Sequence, residues 1–143
     1  MPDPTLTPEL TQVLALPVRG PTAAFTVVCD NNGYDPVLRT AWGFCWVEAG
    51  EATMLLDTGG DGAMLLGNLA KLDLDPQAID AVVLSHIHGD HTGGLASLLN
   101  TGVRPTVYVP AAFPESFKAD VRARTDLFAE ASREAIGRAL TIL

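Results

Sequence analysis

Cations, thiols and histidines are scarce in this chain. Of 143 residues only 9 are lysine or arginine against 17 aspartate or glutamate, which leaves a formal net charge of −8. The deficit is uneven: residues 1–103 carry 3 basic and 12 acidic side chains, residues 104–143 carry 6 and 5. A nucleic-acid binder needs a basic stripe to displace the counterions of the phosphate backbone. None is present, so no nucleic-acid partner is expected. Cys29 and Cys45 are too few and too apolar in context for a disulfide framework and read as buried free thiols. There is no run of 18 apolar residues and no charged-then-apolar leader, so no membrane partner is expected and the cytoplasm is the default compartment. What remains, 48% hydrophobic and 18% charged residues, suits a packed core of one ordinary domain. No internal repeat or low-complexity tract interrupts it.

Histidine is rare, and its placement is the most informative feature. All three lie in His86-Ile87-His88-Gly89-Asp90-His91, together with one carboxylate. Neutral imidazole and carboxylate oxygen suit Zn²⁺, Mn²⁺, Fe²⁺ and Co²⁺, and a set without thiolate argues against a purely structural zinc knot. His86 and His88, two apart, can share one side of an extended segment, while Asp90 and His91 follow the turn toward a second point. That arrangement suggests two metals, the usual device for activating water in hydrolysis. A polar loop whose histidines satisfy one another is the plain alternative.

The flanking residues suit a strand-to-helix loop. Ala81 to Leu84 is an apolar, β-branched run ended by Ser85, and Thr92 to Asn100 reads as a short helix with Thr92 as N-cap and Gly102 past its end. Open α/β sheets place ligands beyond the carboxyl ends of their strands. Further strands are expected at Phe25 to Cys29, Gly43 to Glu48, Thr53 to Asp57 and Thr106 to Val109, the last stopped by Pro110. Asp61 caps a helix running to Leu72, with apolar residues at 63, 65, 66, 69, 70 and 72. Residues 1–24, with four prolines by Pro17 and Pro21 behind them, read as an irregular opening segment. Residues 115–140 read as one long helix, with Val121, Phe128, Ala131, Ala135, Ile136 and Leu140 near one stripe. Thr141 to Leu143 looks like the opening of another strand.

The stretch Ser85 to Gly94 resembles the HxHxDH signature of the metallo-β-lactamase superfamily of metal-dependent hydrolases, flanking serine and Thr-Gly-Gly included. Met54 to Gly60, an apolar strand ending in Asp-Thr-Gly, resembles that family's second landmark. Asp30-Asn31-Asn32, Gly43-Phe44 and Leu74 to Leu84 are similar to the subgroup labelled dihydropterin-type methyl-ribofuranosyl-aminobenzene-phosphate synthase. The resemblance covers about residues 25–110. It implies an α/β fold, the αββα sandwich of that superfamily. His86 and His88 would hold one divalent ion, Asp90 and His91 a second, both zinc by that resemblance, with manganese or iron as substitutes. Asp90 would also orient the attacking water, and Asp57 would fix the loop or a ligand imidazole. Read from the residues alone, Asp57 is equally a turn former, Asp30 to Asn32 are turn chemistry, and Gly93-Gly94 allow the backbone to approach the metals closely.

The family's ligand set continues with later histidines and a bridging aspartate, whereas no histidine follows His91 and only 52 residues remain. Asp120 and Asp126, the later aspartates, fall on what looks like an exposed helix face. Residues 25–143 are therefore expected to form the N-terminal half of the family domain, with an uncovered sheet face. The expected function is hydrolysis of a small-molecule ester, amide, thioester or phosphoester once the missing ligands are supplied. The alternatives are an inactive metal-binding half-domain, or a homo-oligomer in which two copies complete each other's sites.

Overall fold

Six strands hydrogen-bond side by side in the order in which the chain makes them. The computed structural model describes residues 24–33, 35–41, 43, 45–49, 52–125 and 127–132. Strands β1 (Ala24–Cys29), β2 (Cys45–Ala49) and β3 (Thr53–Leu56) form an antiparallel meander. From β3 onward the pairing is parallel, through β4 (Ala81–Val83), β5 (Thr106–Pro110) and β6 (Phe128–Ala131). The change follows from the connections, since a tight turn can only reverse a strand whereas a parallel neighbour needs a crossover. Helix α1 (Gly62–Lys71) makes the first crossover, and α2 (Gly89–Thr92) with α3 (Leu95–Leu99) the second. Helix α4 (Glu115–Arg124) makes the third.

Leu55, Val82 and Val107 from three adjacent strands pack with Met64, Leu65 and Leu69 of α1 and Leu95 and Leu98 of α3. Helix α1 forms as its period predicts, but its buried face is Met64, Leu65, Asn68 and Leu69: of the expected stripe Leu65 and Leu69 are buried, Leu66 and Leu72 half-buried, and Ala63 and Ala70 exposed. Asp61 caps it by accepting a hydrogen bond from the Met64 N–H at 3.1 Å. Contrary to the expectation of an uncovered sheet, the alternate strand positions are also buried: Met54, Ala81, Val83 and Tyr108 are at most 3% exposed. Two-sided burial explains why these strands are continuously apolar rather than alternating. Cys29 and Cys45 are free, buried and opposite each other across β1 and β2.

Three local expectations change. Thr92 does not cap the helix that follows; its hydroxyl turns back to the His88 carbonyl at 3.2 Å, and α2 and α3 are separate short helices joined at Gly93-Gly94. Pro110 closes β5 from within the strand. The long helix over 115–140 is not formed. It ends at Arg124, Thr125 adopts extended backbone (φ −148°, ψ 144°), and the chain pairs as β6 with the free edge of β5. An unpaired strand edge offers a row of backbone donors and acceptors that the helical stripe cannot outbid. Val107 N–H donates to Leu127 C=O at 2.8 Å, and Arg122 lies 4.4 Å above the Phe128 ring, tying α4 to the new strand. The opening segment, Asp126 and residues 133–143, with the expected strand at Thr141 to Leu143, lie outside the described residues.

Candidate metal centre

Strands β3 and β4 are parallel neighbours, so the residues that follow them, Asp57 and Ser85, emerge at the same edge of the sheet. Asp57 continues the ladder by donating its N–H to Val83 C=O at 2.9 Å, then leaves it with φ 55°, a left-handed conformation that aspartate tolerates better than most side chains. The strand therefore ends one residue before Asp57. The backbone turns sharply here, as the turn reading expected, yet the side chain is not spent on the turn.

Asp57 is 2% exposed, and its carboxylate reaches across to the β4 loop. Oδ1 accepts the Ser85 N–H at 2.8 Å, and Oδ2 accepts the Ser85 hydroxyl at 2.5 Å and faces His91 Nδ1 at 2.9 Å. Such a buried carboxylate is tolerated because both of its oxygens have donors. Thr58, fully buried, stitches the same two loops. Its N–H and its hydroxyl both reach the His91 carbonyl, at 2.8 and 2.9 Å, and its Oγ1 accepts the Gly94 N–H at 3.0 Å. A Cβ at Gly94 would lie 2.5 Å from the Thr58 carbonyl, and one at Gly93 2.4 Å from the Gly60 carbonyl. The glycine pair thus permits close approach, but to the 58–60 backbone rather than to a metal.

These contacts decide which ring nitrogens are available. A carboxylate only accepts, so His91 donates Nδ1–H to Asp57, leaving Nε2 bare. Ser85 has one proton, given to Asp57; its oxygen then accepts from His86 Nδ1 at 2.8 Å, so His86 also presents Nε2. Both imidazoles are oriented through one carboxylate, the arrangement that holds metal-ligating histidines elsewhere. Burial, reinforced by the neighbouring His91 ring, lowers the His86 pKa below its ordinary value against the pull of Asp57. The neutral ring is the form a metal requires.

The structure brings all five predicted residues together. The rings of His86 and His91 are 4.0 Å apart between centroids, and those of His86 and His88 4.8 Å. The one-turn helix α2 aims Asp90 and His91, placing Asp90 Oδ2 3.6 Å from His91 Nε2. Two donor sets with ligand atoms within 4.8 Å result, His86 with His88 and Asp90, and His86 with His91 and Asp57. Asp57 already accepts three hydrogen bonds, so it supports the second set rather than supplying a ligand. His88 is exposed, and His86, Asp90 and His91 are partly buried. The donor chemistry, imidazole nitrogen with carboxylate and no thiolate, fits a hard or borderline divalent cation. Ser85 and Thr58 carry no functional role in the sequence reading; the serine flanking the first histidine and the threonine of Asp-Thr-Gly are the signals that point to them. Asp120 pairs with Arg124 at 3.2 Å on the exposed side of α4.

A parallel-sheet edge carrying a histidine-rich loop clamped by a buried Asp-Thr-Gly corner defines an α/β protein with a His/Asp cluster able to hold a metal ion. The sequence model of the metallo-beta-lactamase superfamily matches residues 43–136, and the chain belongs to that superfamily. The 7,8-dihydropterin-6-methyl-4-(beta-D-ribofuranosyl)-aminobenzene-5'-phosphate synthase of Methanocaldococcus jannaschii is 31% identical over 80 residues, 52% of this chain and 27% of that protein. The hydroxyacylglutathione hydrolase of Aeromonas salmonicida is 36% identical over 67 residues, 47% of this chain and 25% of that protein. The chain thus matches about a quarter of the length of these curated relatives. In structure, the metallo-beta-lactamase fold protein YhfI of Bacillus subtilis superposes with a TM-score of 0.57 at 20% identity, over 77% of this chain and 46% of that one, a likeness of fold. Among the described residues no helix is long and apolar enough to cross a membrane.

Proposed function

We propose that the loop from Ser85 to Gly94 holds a pair of divalent cations and that the protein it serves hydrolyses a small molecule. His86 and His88 bind one ion through their side chains, Asp90 and His91 the other. The observation that carries this reading is the imidazole geometry: Asp57, directly and through Ser85, takes up Nδ1 of both His91 and His86 and leaves Nε2 of each for a ligand. When bound, the cations supply Lewis acidity, lowering the pKa of water and stabilising the negative charge that grows on the attacked oxygen.

The chain's own groups do the rest. Asp90, 29% exposed in its side chain, accepts a hydrogen bond from the attacking water and fixes its direction. Asp57 holds the imidazoles in register, and the Thr58 contacts keep α2 against the sheet edge. The substrate is an ester, amide, thioester or phosphoester. The low count of cationic side chains favours a small molecule over a nucleic acid, and the Aeromonas relative bears the name of a small-molecule hydrolase. Two side-chain ligands per ion fall short of the three that catalytic zinc usually takes from protein. The rest come from outside these 143 residues, or from a second copy of the chain.

The test couples metal content to a substrate panel. Elemental analysis of the purified chain should find Zn, Mn or Fe, and a panel of lactone, thioester, phosphodiester and an RNA oligonucleotide should show metal-dependent turnover of a small molecule. A metal-free protein after loading with Zn²⁺ or Mn²⁺ would overturn the site, and metal-dependent cleavage of RNA alone would overturn the substrate class.

A further inference from the structure

At the end of β1 lies a cavity of about 270 Å³ that the hydrolytic reading does not use. Its floor is apolar, made by Val27, Val28 and Leu38, and Val27 leaves 51% of its surface exposed there. The rim is polar, with Asp30, Asp35 and Arg39 among its residues. The wall that carries Arg39 is fixed rather than collapsible. The buried Asn68 side chain donates to Val28 C=O at 2.8 Å and to Arg39 C=O at 3.0 Å, and its Oδ1 accepts the Arg39 N–H at 3.0 Å. Three residues beyond Thr40, the last lining residue, Gly43 packs so closely on the metal loop that a Cβ would stand 2.4 Å from the Asp90 carbonyl. Three residues of chain span at most about 11 Å, so the end of the cavity wall at Thr40 is tethered close to the metal loop.

The charge on the rim selects its occupant. Each rim aspartate spends one oxygen on its own turn: Asp30 Oδ1 accepts the Asn31 N–H at 2.7 Å and Asp35 Oδ1 the Val37 N–H at 2.9 Å. Among the described residues the second oxygen of each accepts nothing. Arg39 does not neutralise them, because its guanidinium turns toward Asp61 at 3.9 Å. An apolar floor below two unspent carboxylate acceptors suits an organic group that bears N–H donors and is neutral or cationic, and it repels anions.

We infer that this cavity binds such a donor-bearing, non-anionic organic group, which forms the part of the substrate remote from the bond broken at the metal loop. Only the second clause rests on the hydrolytic reading. Binding is therefore measured in EDTA, where the metal site plays no part, by following backbone amide resonances of the full chain during titration with benzamidine and with benzoate, the same ring with opposite charge. Benzamidine should shift amides of residues 27–40 and benzoate should not. In Asp30→Asn with Asp35→Asn, which keeps the oxygen each turn uses, benzamidine binding should weaken at least about tenfold, the order of one lost charge-assisted hydrogen bond. Val27→Lys, a change at an exposed position, should abolish it without touching the core. Equal binding of benzoate, shifts confined to other residues, or undiminished benzamidine binding in the folded variants would overturn the inference. A failed hydrolysis panel with intact benzamidine binding would instead sink the hydrolytic reading and leave the cavity standing.

Discussion

Among the described residues two ionisable side chains are buried at 2% exposure, Asp57 at one edge of the sheet and Lys118 in α4, and they are buried for different ends. Lys118 donates to Ala111 C=O at 2.6 Å, Glu130 at 3.1 Å and Glu115 at 3.2 Å, binding the start of α4, the end of β5 and strand β6 into one unit. Desolvation opposes its charge, yet the hydrogen bonds to Glu130 and Glu115 raise its pKa above the ordinary lysine value. Every one of its partners is a structural group. Asp57 is as deeply buried, but its partners are Ser85 and His91, which lie in the metal loop. Burial of a charge alone therefore does not mark a site. The chemistry of the groups that satisfy it does, since a carboxylate that orients imidazoles leaves their other nitrogens bare while a lysine between two glutamates leaves nothing over.

Variants can break this contrast, beginning with the strongest effect. His88→Ala removes a ligand outright and should cost the protein most of one equivalent of bound metal by elemental analysis; equal metal content in variant and wild type would dissolve the contrast at its root. Asp57→Ala should lower metal affinity about 10–100-fold, the usual range for loss of a group that orients a ligand, read by competition with a chromogenic chelator. Gly94→Ala drives a methyl into the Thr58 carbonyl, 2.5 Å away, and should lower the melting temperature and metal affinity together, because the two loops are forced apart. Ser85→Ala leaves His91 held by Asp57 and frees only His86, so its loss of affinity should be smaller than that of Asp57→Ala. Lys118→Met is the control at the other pole. It should lower the melting temperature while leaving metal affinity unchanged within about twofold, and a large drop in metal binding would show that the two buried charges are coupled.

Turnover sharpens the same point. With two side-chain ligands per ion, the chain alone should hydrolyse the panel far more slowly than the roughly 10 s⁻¹ typical of complete enzymes. A rate near that value, dependent on protein concentration, would show that two copies complete the site.

Much of this was legible in the residues. The ligand loop announced itself because its donors are contiguous: His86 to His91 reach a common point within one extended step and one helical turn, without help from distant chain. Helix α1 and its Asp61 cap were legible for the same reason, being set by period and by local hydrogen bonding, although its buried face runs through Met64 rather than Ala63 and Ala70. The Gly102 turn was equally local, with φ 91° just past α3. Residues 115–132 misled because an apolar stripe without Gly or Pro suits a helix as well as a helix followed by a strand. The choice fell to the edge of β5, which lies outside any window read along the chain.

The sequence by itself determined the candidate ligands, the strand-rich α/β framework and the acidic balance, all properties carried by neighbouring residues or by composition. Only the tertiary structure decided what Asp57, Ser85, Thr58 and Gly94 do. Residues 57 and 85 stand 28 apart in the chain and become hydrogen-bonded partners solely because β3 and β4 lie parallel and in register, a consequence of burying their apolar faces that no local signal records.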